Sequence, residues 1–285
     1  MVSPTLRRRR LSRLLRELRE EKGLTAGTVA AEAKKRSGRA RGWSASKLTR
    51  LEGAEWKRVR ADDVLVLLDI YEVTDEEQRA AYATLAREAN QQGWWASFGD
   101  VLGSGQFVGL ESEASRIRTF ESVTIPGLLQ TPEYARALIS ASGQVTDEHE
   151  LGQRVDARMF RKSVFSRARP LTYWAVIDEL ALMRITPDLV GQLDYLLEMG
   201  TRPNVGIQIL PAGRGPHAAM TGQFVLLDFP APDQPVVYLE CLSEEIYLEK
   251  DEEISRYQHL YDYVQAEALS VSDSRDLIER RRAAL

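Results

Sequence analysis

Leu11, Leu14, Leu15 and Leu18 recur at i, i+3, i+4 and i+7, a spacing that lines one face of a helix ending before Gly23. Arginines at 7–10, 13, 16 and 19 take most of its other faces. Thr25 predicts the N-cap of a second helix with Val29, Ala30 and Ala33 turned inward. Ser44 predicts the cap of a third, which runs to Glu52 and stops at Gly53. At about 100° per residue, Ser44, Leu48 and Leu51 fall on one side of that helix. Ser46, Thr49 and Arg50 face away, and Lys47 sits on the flank. A fourth helix repeats the first spacing with Val64, Leu67, Leu68 and Tyr71. A fifth opens on a capping box, Thr74-x-x-Glu77, and continues through Tyr82, Leu85 and Ala89.

Beyond residue 90 the periods mix. Residues 108–121 read as a helix with Leu110, Ala114, Ile117 and Phe120 inward. Thr131-Pro132-Glu133 is a helix start, and a long helix follows over 147–166. Residues 171–177, 205–210, 223–229, 236–242 and 245–248 read as strands separated by Pro and Gly. Helices are predicted over 187–200, 251–268 and 272–284. The fold expected is α+β overall: an all-α five-helix domain over 1–90, a linker over 91–107, and an α+β domain over 108–285. That second domain should carry a small, mostly antiparallel sheet flanked by helices.

Composition narrows the class. The 285 residues suffice for two packed domains. No apolar run approaches the roughly 18 residues of a bilayer span, and no apolar stretch follows the basic N-terminus as in a secretory signal. A single cysteine, Cys241, excludes an internal disulfide and a thiolate-rich zinc site. A soluble, cytoplasmic protein is expected, with no metal and no cofactor. The formal charge is −4, but residues 1–60 hold 18 basic and 6 acidic side chains, a balance of +12. The remainder carries −16. This asymmetry suggests a nucleic-acid-facing module on an acidic body.

The sequence has no G-x-S-x-G elbow, no H-E-x-x-H and no phosphate-binding P-loop. Gly103-Ser-Gly-Gln-Phe-Val-Gly109 approaches a dinucleotide fingerprint, but its third Gly is displaced and no strand precedes it, so it reads as an interdomain loop. His217 reads as a loop residue, and Glu113–Arg116 as a surface pair on a helix. Trp94, Trp95 and Trp174 read as core, with a ligand pocket as the alternative. No enzyme is expected.

A short helix, a connection, and a helix presenting small polar and basic residues is helix-turn-helix logic. Arg donates two hydrogen bonds to guanine, and Ser bonds to either partner of a base pair. The stretch Leu15-Arg-Glu-Leu-Arg-Glu-Glu-Lys-Gly-Leu-Thr25, followed by Ser44-Ala-Ser-Lys-Leu-Thr-Arg-Leu-Glu-Gly53, resembles phage-repressor-type (XRE) helix-turn-helix domains. The resemblance extends through Gly93-Trp-Trp95, Val108-Gly-Leu-Glu-Ser-Glu-Ala-Ser-Arg-Ile-Arg-Thr-Phe-Glu121, Ile125-Pro-Gly-Leu-Leu-Gln-Thr131 and Asn204-Val-Gly-Ile-Gln-Ile-Leu-Pro211. These motifs are similar to actinobacterial WhiJ-like regulators with a C-terminal domain like the Scr1-family antitoxin.

The resemblance implies double-stranded DNA as a partner, transcriptional control, and a small partner protein encoded nearby. It implies that Ser44, Ala45, Ser46, Lys47 and Arg50 read the major groove, while Lys57, Arg58 and Arg60 lie along the backbone. It also implies a structural ion pair between Arg19 and Glu52. Two departures stand out: Ala26 occupies a position that often carries a phosphate-binding Gln, and the connection over 37–43 is long. Arg39 and Arg41 in that connection are candidate backbone contacts. A homodimer on an inverted repeat is expected, because one such module offers few base contacts. Three readings stay open: a DNA-binding regulator, an antitoxin-like binder with autoregulatory DNA binding, and an enzyme with an appended DNA-binding module.

Overall fold

The structure, a computed structural model, describes residues 3–38, 42–102, 105–241 and 244–285. The chain divides into two compact units, Met1–Ser97 and Phe98–Leu285.

The first unit is all-helical: α1 (Pro4–Glu21), α2 (Ala26–Arg36), α3 (Ala45–Glu52), α4 (Ala61–Ile70) and α5 (Glu76–Ala89). Capping sets the boundaries. The Ser3, Thr25 and Ser44 side chains accept from the backbone N–H of Thr5, Thr28 and Lys47. Gly23, at φ 64°, ends α1 in the left-handed conformation that glycine adopts at no steric cost. The fifth helix departs from expectation by one residue. Its cap is Asp75, whose carboxylate accepts from Gln78 N–H at 2.6 Å, and Thr74 lies outside. A charged acceptor at a helix N-terminus outcompetes a neighbouring hydroxyl. Leu11, Leu15, Val29, Ala33, Leu48, Leu51, Val64, Leu67, Leu68 and Tyr71 share one core, so the helical stripes converge as their spacing requires. Trp43, which the sequence places merely in a connection, is buried in the same core.

The second unit holds α6 (Gln106–Glu111), β1 (Arg116–Glu121), α7 (Pro132–Ala141), α8 (Glu148–Arg161), β2 (Thr172–Asp178), α9 (Glu179–Met183), α10 (Gly191–Met199), β3 (Val205–Leu210), β4 (Phe224–Asp228), β5 (Val236–Glu240), β6 (Glu245–Leu248), α11 (Asp251–Glu267) and α12 (Val271–Ala283). The six strands form one sheet in the order β3-β2-β1-β4-β5-β6. Three ladders are antiparallel (β1–β4, β4–β5, β5–β6), and two are parallel (β1–β2, β2–β3). The overall class is α+β.

The expected helix over 108–121 is half wrong. It ends at Glu111, and Arg116–Glu121 is the central strand of the sheet, Thr119 pairing with Ala175 on one side and Val225 on the other. The i, i+4, i+7 spacing of Leu110, Ala114 and Ile117 imitates a helix. Two strands distant in sequence supply the ladder that decides otherwise. The Glu113–Arg116 pair goes with it: Arg116 donates across the ladder to Asp228 at 2.7 Å. Alternation then sorts the sheet. Phe120, Val176, Phe224, Leu226 and Val237 pack with Ile254, Tyr261 and Val264 of α11. Ile117, Thr119, Tyr173, Val225 and Tyr238 face the other way and border a cavity.

Candidate functional site

In the first unit the outer surface of α3 is built from the cap outward. Ser44, Ala45, Ser46, Thr49 and Arg50 are exposed, whereas Leu48 and Leu51 are buried. Ser44 spends its hydroxyl on the cap, and Thr49 donates back to the Ala45 carbonyl at 3.0 Å. Lys47 is held on the flank: its Nζ lies 3.1 Å from Asp63 Oδ2 and 4.4 Å from the Trp43 ring centroid. Lys57, Arg58 and Arg60 are exposed after α3, and Arg60 reaches Asp62 at 3.3 Å. Arg39 and Arg41 lie outside the described residues.

Many of the basic side chains counted in the sequence are already matched. Arg7 pairs with Glu88, Arg13 with Glu17, Arg16 with Glu20, Lys22 with Glu72, and Arg36 with Glu32. Arg50, Lys57 and Arg58 have no acidic partner among the described residues. Exposed positive charge without an acidic partner thus includes Arg50 on α3 and Lys57 and Arg58 in the segment after it.

Arg19 and Glu52 tie α1 to the end of α3. Arg19 Nε and Nη2 donate to the two carboxylate oxygens at 2.7 and 2.8 Å, and Nη1 donates to the Leu24 carbonyl at 2.8 Å. The hydrogen bond to Glu52 outweighs partial burial and raises the Arg19 pKa further. The Tyr71 hydroxyl is buried without a hydrogen-bond partner among the described residues, and burial raises its pKa. Tyr71→Phe is expected to leave the unfolding midpoint unchanged or slightly higher, since it removes an unmet polar group.

The second unit contains a concentration of charge that no sequence motif announces. Glu111 of α6 is 3% exposed and accepts two hydrogen bonds from Arg161 of α8, at 2.8 and 2.7 Å. Burial alone would lower the Arg161 pKa, but Glu111 more than compensates and raises it. Gly127 gives the guanidinium room: a Cβ there would stand 3.2 Å from Nη2. Arg158, one turn earlier, donates to Gln130 Oε1 at 2.9 Å, and burial followed by the charge of Arg161 lowers its pKa to about 10. Glu121, at the end of β1, accepts from Thr119 and Thr124 hydroxyls at 3.3 and 3.4 Å. Burial is the first cause that pushes its pKa up to about 8, with Glu240 adding to it and Arg161 opposing.

Because the folded chain holds the Glu121 proton more tightly than the unfolded chain does, stability falls as pH rises from about 4.5 to about 8. Glu121→Gln should therefore be more stable than the parent at pH 9, by on the order of 2 kcal/mol, and nearly equal at pH 5. Urea midpoints at the two pH values check this; a difference that grows toward acid would reverse the assignment.

The remaining sequence candidates lie in varied surroundings. His217 is half-buried in its loop, 3.6 Å from Asp178 and edge-on to Phe120 at 5.6 Å. Trp174 donates to Gln208 at 2.7 Å on the α11 side of the sheet. Trp94 and Trp95 meet edge to face at 6.1 Å. Residues 103 and 104 of the glycine-rich stretch lie outside the described residues, and Gly105 caps α6. Among the described residues no cluster of His, Cys, Asp or Glu has the makings of a metal site, and no helix is long and apolar enough to cross a membrane.

Five helices with α3 presenting its polar face define the N-terminal unit as a helix-turn-helix DNA-binding domain, and a model described as a helix-turn-helix domain matches residues 10–81. The chain belongs to the DUF5753 family, described as a domain of unknown function, whose model matches residues 104–280. No curated protein and no solved structure gives a significant match.

Proposed function

We propose that the protein is a sequence-specific transcriptional regulator of the XRE type, acting as a repressor from an inverted-repeat operator. The observation that carries this reading is the exposed charge of Arg50, Lys57 and Arg58, without acidic partners among the described residues, beside the polar face of α3. A homodimer would place two copies of α3 about 34–36 Å apart, one helical turn of DNA. The acidic second unit acts by binding, not by catalysis, and modulates DNA affinity through an effector. Its resemblance to Scr1-family antitoxins supports a small partner protein in that role, in the cytoplasm and on the nucleoid.

Genome-wide DNA capture with the full chain tests the reading, and an inverted repeat among the captured fragments is expected. Random fragments captured as well as any other would overturn it. On the recovered operator, Arg50→Ala should cost about 1–3 kcal/mol and flatten the base preference. Lys57→Ala should weaken operator and random DNA alike and reduce the salt slope by about 1. If the two variants behave identically on both DNAs, Arg50 does not read bases.

A further inference from the structure

We propose that the cavity beside β1 in the C-terminal unit binds a small organic acid, its carboxylate held by Arg158 and its hydrocarbon body by the apolar wall. The cavity measures about 330 Å³, at the lower end of the roughly 300–1,000 Å³ typical of small-molecule sites. Its charged lining is Glu111, Glu121, Glu240 and Glu245 with Arg154, Arg158 and Arg161, and Arg154 is taken up by Glu150 of its own helix at 2.8 Å. Glu111 and Arg161 neutralise each other through two short hydrogen bonds and form a finished wall.

Arg158 is different. It has five N–H donors, yet Gln130 is its one hydrogen-bond partner among the described residues, and no carboxylate lies within 4 Å of it. Of the carboxylates that act on Arg158, Glu111 is taken by Arg161, and burial raises the pKa of Glu121 to about 8. Glu240, at the rim, is exposed to water. A partly buried guanidinium with spare donors is suited to a planar, bidentate anion.

The wall away from Arg158 decides between an inorganic anion and an organic one. Phe107, Ile117, Leu128, Leu138 and Val225 line the same cavity, and only hydrocarbon gains by covering them. Both halves of the site lie within residues 98–285, so the inference stands apart from the reading of the DNA-binding unit.

The test is calorimetric titration of the full-length protein at pH 7 with benzoate and with hexanoate. Benzamide and inorganic phosphate serve as controls. Saturable binding of at least one carboxylate is expected, at least tenfold tighter than benzamide or phosphate. Arg158→Lys keeps the charge but loses the fork, and should weaken that binding at least tenfold. Arg158→Gln should abolish it, with circular dichroism confirming that the variants are folded. Absence of carboxylate binding at millimolar concentrations would overturn the proposal. So would equal binding of benzamide, tighter binding of phosphate, or undiminished affinity in folded Arg158→Lys.

Discussion

Replacing Glu111 with alanine is expected to destabilise the C-terminal unit by about 3–5 kcal/mol. The carboxylate is buried and gives both oxygens to Arg161, whose guanidinium also lies 5.3 Å from the Phe107 ring centroid. Removing the acid strands a cation that has given up its hydration, and no other carboxylate pairs with Arg161 among the described residues. The double replacement Glu111→Leu with Arg161→Met should recover much of the loss, because it deletes both charges and keeps hydrocarbon in the space. Urea denaturation of the single and double variants decides the matter. A single variant within 1 kcal/mol of the parent would show that the pair carries little of the unit's stability.

The second large effect is expected at Glu52. Glu52→Ala should cost about 2–4 kcal/mol, lowering the melting temperature of the helical unit by roughly 10–20 °C. Its carboxylate engages both the Nε and Nη2 of Arg19, and together they fix the end of α3 to α1. The consequence for DNA has an informative sign. Deleting an acidic group near a cationic surface would strengthen binding if electrostatics alone mattered. A reading helix loosened at its C-terminal end should instead bind its operator more weakly. Titration below the melting temperature separates the two outcomes, and stronger operator binding would show that the pair does not position α3.

The helices of the first unit were legible because their determinants are local. Thr25 and Ser44 sit at the observed caps, and the leucine and valine spacings reproduce the observed core. Asp75 displaced Thr74 because two acceptors one residue apart compete, and pattern alone does not rank them. The strand Arg116–Glu121 was hidden for the opposite reason. Its neighbours are Thr172–Asp178 and Phe224–Asp228, more than fifty residues away, and nothing in its own sequence records them. The charged cavity was missed because Glu111, Glu121, Arg158 and Arg161 come from three separate elements. One signal was present: Leu151, Val155 and Arg158 stand at i, i+4 and i+7, so the arginine occupies the apolar stripe of its own helix. An arginine on that stripe is a reason to look for a buried anion.

The placement of β1 also bears on how the polypeptide acquires its shape as it leaves the ribosome. Its two hydrogen-bonding partners are completed only at Asp178 and Asp228, so this strand must wait for more than a hundred later residues to be synthesised. The five leading helices are complete by Ala89 and need no residue of the second unit. Nascent chains should thus present a finished head well before the trailing half can close around its cavity, and a stalled or truncated product would be a folded head with an open sheet behind it.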